Sequence, residues 1–485
     1  MQMRTKKTTR QTGDKFGDRR LEIRYKALTE RLSDNLAQSI PQSGHTWGET
    51  KAAYRFFDNP SVSPSKMLKL HNEGLEHLWT PLSESESSKD KSASVASPSS
   101  LKGERRRLLQ LTDTVELDYT GKKGASALGP LNYKKRLGMH AHNSLIINEL
   151  GAPLTLMSQT FTIRDTAGFG DSEKRTALPF EEKETYRWRV HFEQAQELCK
   201  NDPLLEMVYI ADTESDMIEV FQARVVPNMH FVIRSKFNRL LVGKQERLYE
   251  YLAKQPSLGQ YAIPVLDAHT GKKRLAILTI RFAKVEITQN RKVRSKPDKS
   301  IVPLYAVQAI EMNPPPAIEP VNWVLLTTLP VENFEQALLI MRYYALRWII
   351  ERFHFLMKSG GAHVEELQLQ TAHRLKNAVT IYSIAAMEAL KIRYWAENEP
   401  QTPIYEAGVT PVEYEVLYTY AHSFISHKII FKKNEPPNIE QYAKVLGQIA
   451  GFKPSKRQPL PGLKCLSRAT EKLKTLVDAY LIFCQ

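Results

Sequence analysis

The stretch from Tyr344 to Lys358, YALRWIIERFHFLMK, limits what this chain can build more than any other. On a helix each residue advances about 100°. Tyr344, Arg347, Glu351 and Lys358 then share one stripe about 60° wide. Trp348, Ile349, Ile350, Phe353, Phe355, Leu356 and Met357 fill the rest of the turn and are apolar enough to be buried. A polar stripe on such a helix must face partners or a cleft. A carboxylate bracketed by Arg and Lys suits a phosphate backbone and a metal ion. Ordinary i,i+4 ion pairs would give the same spacing.

Charge narrows the partners. The chain has 485 residues, 42% of them hydrophobic, enough for about three domains with real cores. Its net charge of +15 points to a polyanion, nucleic acid before a membrane surface. No apolar run reaches the roughly 18 residues needed to span a bilayer, so no membrane partner is expected. The basic N-terminus has no apolar segment behind it and does not read as a signal peptide. Cys199, Cys465 and Cys484 are scattered and odd in number, which fits a reducing, cytoplasmic compartment.

The middle of the chain reads as an α/β layer. From Arg105, LLQLTDTVELDYTG alternates as a strand and carries Asp113, Glu116 and Asp118, any of which could be functional. Strands follow at 144–150 and 154–161, then a helix over about 181–200. Met207–Ala211 is a short apolar strand ending on Asp212, with Glu214 and Asp216 as alternative acids. Open α/β sheets bind ligands at the carboxyl ends of such strands. His140 and His142 lack a third ligand and fit a strand or loop better than a metal site. His230–Lys236 reads as another strand. Beyond it, strand-like runs starting at Leu275, Val302 and Trp323 alternate with basic segments at 272–274 and 291–296. They read as a small antiparallel sheet inserted in the core.

Both ends read as helical. Leu21, Tyr25, Leu28, Leu32 and Leu36 recur at helical spacing beside Arg20, Arg24 and Lys26. Thr46 and Glu49 form a capping box for a helix running to Pro60. A third helix, 64–79, follows the cap Ser63. Three short helices with a basic face suit major-groove binding, or binding to phosphate without sequence preference. Nine of the eighteen residues in 83–100 are serine, so this segment reads as a surface loop or linker. Helices are expected at 372–398, 411–422, 439–449 and 466–483. In the last, Leu473, Leu476, Val477, Tyr480 and Leu481 make an apolar face for a second copy or for its own domain.

The pattern Tyr-x2-Arg-x3-Glu-x6-Lys at Tyr344, Arg347, Glu351 and Lys358 resembles, with no spacing error, the motif of the insertion-sequence-four family of bacterial DDE transposases. The resemblance implies an RNase H-like catalytic core, a mixed sheet flanked by helices, over 102–385, with an inserted antiparallel β subdomain at about 237–328. A helical DNA-end-binding domain would occupy 1–82, a linker 83–101 and a helical dimerisation domain 386–485. Among the acids it selects Asp113, followed by Thr114 and Leu117, together with Asp212 and Glu351. These would hold two Mg²⁺ ions, with Mn²⁺ able to substitute. Tyr344, Arg347, Lys358, Arg234 and Lys236 would hold phosphates, and Trp323 would stack on a flipped base. Arg20 and Arg24, in Gly17-Asp18-x-Arg20-x3-Arg24, and Arg55, in Ala53-Tyr54-Arg55-Phe56, would read the transposon end. The implied reaction is cut-and-paste transposition of double-stranded DNA. Hydrolysis exposes a 3′-hydroxyl, a hairpin forms and opens, and the freed end joins target DNA. The implied assembly is a homodimer on DNA, in the bacterial cytoplasm at the nucleoid. The serine tract departs from the family pattern. A metal-dependent nuclease without strand transfer, or a non-catalytic DNA-binding regulator of the same fold, would use the same charge.

Overall fold

The computed structural model describes residues 16–34, 36, 38–44, 46–73, 105–166, 169–170, 177–266, 273–288, 301–316, 318–405, 409–425, 435–455 and 458–483. The serine-rich 83–100, the basic 291–296, Lys272, residues 74–79 and Cys484 lie outside them.

The N-terminal helices are α1 (Arg19–Asp34), α2 (Ile40–Ser43), α3 (Trp47–Asp58) and α4 (Pro64–Glu73). Gly17, at φ +78°, turns the chain into α1, and Asp18 Oδ1 accepts the Arg20 N–H. Thr46 Oγ1 accepts the Glu49 N–H, and the Glu49 carboxylate returns to the Thr46 N–H, completing the expected capping box. The short α2 was not foreseen.

A ten-stranded sheet carries the rest. The strands are β1 (Arg106–Asp118), β2 (Gly129–Pro130), β3 (Leu137–Asn148), β4 (Pro153–Thr162), β5 (Leu205–Ala211), β6 (Met229–Arg234), β7 (Gly259–Leu266), β8 (Lys273–Ile287), β9 (Val302–Glu311) and β10 (Asn322–Thr327). Central β1 runs antiparallel to β3, which pairs antiparallel with β4, and parallel to β5, which pairs parallel with β6. β5 is buried at every residue, as expected of a parallel strand covered on both faces. The inserted strands are antiparallel as read, but they do not form a sheet of their own. β10 pairs with β6 through Leu325↔Arg234, and β9, β8 and β7 follow in order, so they prolong the core sheet. β6 otherwise ends as an open edge, and β10 covers its unpaired backbone.

One sheet face packs on α5 (Tyr186–Asn201), with Trp188 and Phe192 against Met207 and Tyr209. The other face meets α6 (Phe334–Leu346), α7 (Trp348–Phe355) and α8 (Ala372–Asn398). Phe16, Leu21, Tyr25, Phe56, Phe57 and Leu68 join that same apolar cluster. Asn377 of α8 donates to the carbonyls of Phe57 and Val62, and Tyr382 to that of Gln38. The N-terminal helices are therefore seated on the core through a shared apolar cluster.

A third cluster unites α9 (Pro411–Phe424), α10 (Ile439–Ile449), α11 (Leu463–Phe483) and the end of α8 near Ala396. α8 runs unbroken through position 385, and its end near Ala396 joins the third cluster. Leu473 and Val477 are 2% and 3% exposed inside this cluster, with Leu476 and Tyr480 against it. The face considered for a second copy packs on its own domain, leaving Leu481 exposed.

Candidate active site

The acids meet through the sheet's register. Leu111 on β1 pairs with Ile210 on β5, so Asp113 and Asp212 stand level, each two residues farther along parallel neighbours. Asp113 lies within β1, while Asp212 leaves β5 and caps a short turn, its Oδ1 accepting the Glu214 N–H at 2.9 Å. Glu351 comes from α7. The expected continuous helix tightens at Arg347, where the Arg347 N–H bonds Tyr344 O and the Ile350 N–H bonds Arg347 O. Arg347 Nη1 lies 3.0 Å from Asp113 Oδ2 and 3.2 Å from Glu351 Oε1.

Electrostatics tie in the third acid. Burial, then the charge of Asp212, pushes the Asp113 carboxyl up to about 7, against the opposing pull of Arg347. The Arg347 guanidinium is held above its ordinary range against its own burial, chiefly by Asp113, with Tyr344, Glu351 and Asp212 contributing. The ligand atoms of Asp113, Glu351 and His354 lie within 4.8 Å of one another. Two carboxylates that converge in this way can hold a divalent cation, with a neutral imidazole beside them.

The other predicted residues divide. Tyr344 is buried edge-on to Trp323, ring centroids 5.4 Å apart, on the Asp113 side of the sheet. Burial raises its phenol, while Arg347 and a hydrogen bond from Arg234 lower it. Arg234 also donates to Asn322 O. Trp323, Tyr344 and Arg234 thus form one group beside the acids. Lys358 does not join them. A π-helical turn, Leu356–Gly360, carries it past the stripe, and Nζ lies 3.0 Å from both Glu116 O and Glu365 Oε1. Lys236 is exposed and gives the site no side-chain contact; its N–H bonds Asp216. Trp348 and Phe355, expected inside, are 62% and 44% exposed. They line a cavity of about 360 Å³ with Glu351, Arg352, Arg393, Gly462 and Leu463.

The spare acids are spoken for. Asp216 is 1% exposed, salt-bridged to Arg239 at 2.7 Å and bonded by the Lys236 and Phe237 N–H groups. Asp118 binds Arg136, and Glu116 accepts from the Asn132 N–H. His140 and His142 lie on β3 as read. His142 Nδ1 meets Thr114 Oγ1 at 2.8 Å, and its ring packs between Trp188 and His191.

Sequence reading missed several participants. Arg187 joins Thr114, which follows Asp113, to Glu214, which follows Asp212. His354 follows Glu351 by one helical turn. Asn143 lies directly across β3 from Asp113. The i,i+3 spacing of Glu351 and His354 was the one available signal; the others depend on register.

At the N-terminus, Arg20, Arg24 and Arg31 line a groove of about 310 Å³ between α1 and α3. Arg20 is exposed but bound to Asp18, and Arg31 crosses to Glu49 at 2.6 Å. Arg55 is exposed on α3, outside the groove lining. Trp47 is 69% exposed, with Lys51 Nζ 5.3 Å from its ring. Residues 9–62 match the family model described as Transposase DNA-binding. The match spans α1 to α3 and leaves the sheet and its acids outside. Among solved structures, the piggyBac transposase synaptic complex with hairpin DNA is similar at 11% identity and a TM-score of 0.34, covering 81% of this chain and 70% of that one. A likeness of that degree is too slight to assign a fold. Among the described residues no helix is long and apolar enough to cross a membrane.

Proposed function

We propose that this chain is a DDE-type DNA transposase similar to the insertion-sequence-four family, with an RNase H-like core prolonged by four antiparallel strands. The carrying observation is the junction of Arg347 with Asp113 and Glu351, with Asp212 level on the neighbouring strand. The strand order β4-β3-β1-β5-β6, antiparallel then parallel, supports the RNase H-like reading. The match at 9–62 supports an N-terminal DNA reader.

Asp113, Asp212 and Glu351 would hold two Mg²⁺ ions, which activate the attacking water or hydroxyl and stabilise the leaving oxygen. The donor set fits: hard carboxylate oxygens converge on a point where the protein already places a positive group, the Arg347 guanidinium. Arg347 then exchanges carboxylate for phosphate, a partner its planar fork suits as well. Trp323 offers a ring to an unstacked base beside Tyr344 and Arg234. Arg20, Arg24 and Arg55 bind the end, and Trp47 adds an exposed ring to the same helical pair. Two such chains, each with one acid set, would hold two ends; their contact lies elsewhere than Leu473 and Val477.

The test is a cleavage gel with an end-containing duplex and Mg²⁺. Hairpin and joined products support the proposal. Nicks alone would establish a nuclease without strand transfer, and binding without any cleavage a regulator.

A further inference from the structure

A buried polar row leads away from the acids. Asp113 on β1 stands opposite Asn143 on β3, which stands opposite Gln159 on β4. Cross-strand partners leave the same face, so all three point toward α7 and α8. Asn143 and Gln159 are 0% and 4% exposed, within an otherwise apolar cluster. Gln159 Nε2 donates to Asn143 Oδ1 at 2.7 Å and to Ser383 Oγ at 2.9 Å, and Thr380 Oγ1 donates to Gln159 Oε1 at 2.9 Å. Asn143 Nδ2 meets His354 Nε2 at 3.1 Å. A core that needed only to pack would fill these positions with apolar side chains, because buried amides are tolerated only when satisfied.

The row sets the state of its last member. Ser383 gives its proton to Val379 O at 2.7 Å, so its oxygen accepts from Gln159. The Asn143 amide nitrogen also donates to Ala141 O at 3.3 Å, a carbonyl that can only accept, so it is the nitrogen that faces the imidazole. An amide nitrogen only donates, so His354 Nε2 accepts and the ring proton sits on Nδ1. The ring is 6% exposed, and a ring nitrogen lies within 4.8 Å of carboxylate oxygens of Asp113 and Glu351.

We propose that His354 is a positioning residue whose Nδ1–H faces the Asp113–Glu351 carboxylate pair at no more than 4.8 Å and, through one bridging water, orients their oxygens for a divalent ion. It is held in that tautomer by the Asn143–Gln159–Ser383 row. The inference rests on the reading that these acids hold a metal.

Mn²⁺ binding to the DNA-free full chain, followed by electron paramagnetic resonance, tests it without cleavage. Loss of binding in Asp113→Asn relative to the unmodified chain first establishes the metal reading; failure there sinks that reading and leaves nothing for His354 to position. His354→Phe is then expected to bind Mn²⁺ about tenfold more weakly, with thermal unfolding and end binding little changed. His354→Gln, whose amide can accept from Asn143 and donate onward, restores affinity to within about threefold of the unmodified chain. Asn143→Leu, on a different element, lowers affinity as His354→Phe does. Unaltered affinity in His354→Phe overturns the inference, and so does a His354→Gln protein no better than His354→Phe. Electron spin echo modulation from a ¹⁴N bonded to Mn²⁺ also overturns it, because His354 would then be a ligand.

Discussion

Arg347 Nη1 stands 3.0 Å from Asp113 Oδ2 and 3.2 Å from Glu351 Oε1, closing the space between two acids from distant parts of the chain. The guanidinium supplies the countercharge that an ion would otherwise supply, so the two compete. Arg347→Gln is expected to raise Mn²⁺ affinity of the DNA-free protein by about tenfold, roughly 1.4 kcal/mol. On the proposed reading it should also slow end cleavage about 100-fold, because a phosphate clamp is lost. Titration calorimetry and a cleavage time course read the two effects. Weaker Mn²⁺ binding in the variant would refute the competition.

Protons compete for the same site. Burial and Asp212 raise the Asp113 carboxyl from an ordinary 3.8 to about 7. A metal must displace that proton. Mn²⁺ affinity should therefore climb about tenfold per pH unit up to about pH 7 and level off above it. Asp113→Asn should leave residual binding flat over that interval. A flat profile in the unmodified protein would show that Asp113 is already ionised.

The two aspartates flanking Glu214 should fail in opposite ways. Asp212→Ala should cut cleavage by about 10³-fold or more while the melting temperature holds, since its side chain caps only a short turn. Asp216→Ala strands the half-buried Arg239 and two N–H groups, and should cost about 3–5 kcal/mol of stability. Denaturant unfolding separates them; a stable Asp216→Ala protein would contradict the structural role.

Acid should loosen the core. Burial lowers His191 and His354 to about 3 each, so the native state leaves them neutral where the unfolded chain protonates them. The unfolded state binds more protons below about pH 6.5. Stability present above that pH is lost as pH falls toward 3, by about 1.4 kcal/mol per unit for each ring. Asp113 works the other way, adding stability as pH falls from about 7 toward 4, and offsets one of them. Urea midpoints measured from pH 7 to 4.5 should fall, and should fall less in His191→Gln. A midpoint constant with pH would rule this out.

The last helix should matter for folding of its own cluster. Leu473→Ala removes a side chain 2% exposed and should cost about 2–5 kcal/mol. Leu481→Ala, on the exposed side, should cost under about 0.5 kcal/mol. Thermal melts of both variants check this, and equal losses would mean the helix packs otherwise.

Much of the site was legible because its residues obey local periodicities. Arg347 and Glu351 sit four apart on a helix, and Asp212 ends an apolar run, so spacing offered them as candidates and the family resemblance selected them among the neighbouring acids. Asn143 and Gln159 could not be found that way. Their roles follow from register between strands, which sequence leaves open. Lys358 bonds Glu116 O and Glu365 from within a π-helical turn, whose extra residue ideal helical geometry does not count. Three of the four inserted strands were recognised, β7 being missed, and their attachment to β6 is a long-range pairing. Leu473 and Val477 show the same limit: an apolar face declares that it will be covered, not by what.

The continuous ladder from β4 to β7 has a mechanical consequence. Trp323 and Asp113 are carried on one plate, linked rung by rung through β6 and β5, with no hinge between them. Their separation is fixed when the protein folds. On the proposed reading, a duplex that presents a base to one and a phosphodiester to the other has to do the bending itself. Steps that unstack readily at that point would then be favoured by their flexibility, without any side chain reading their edges.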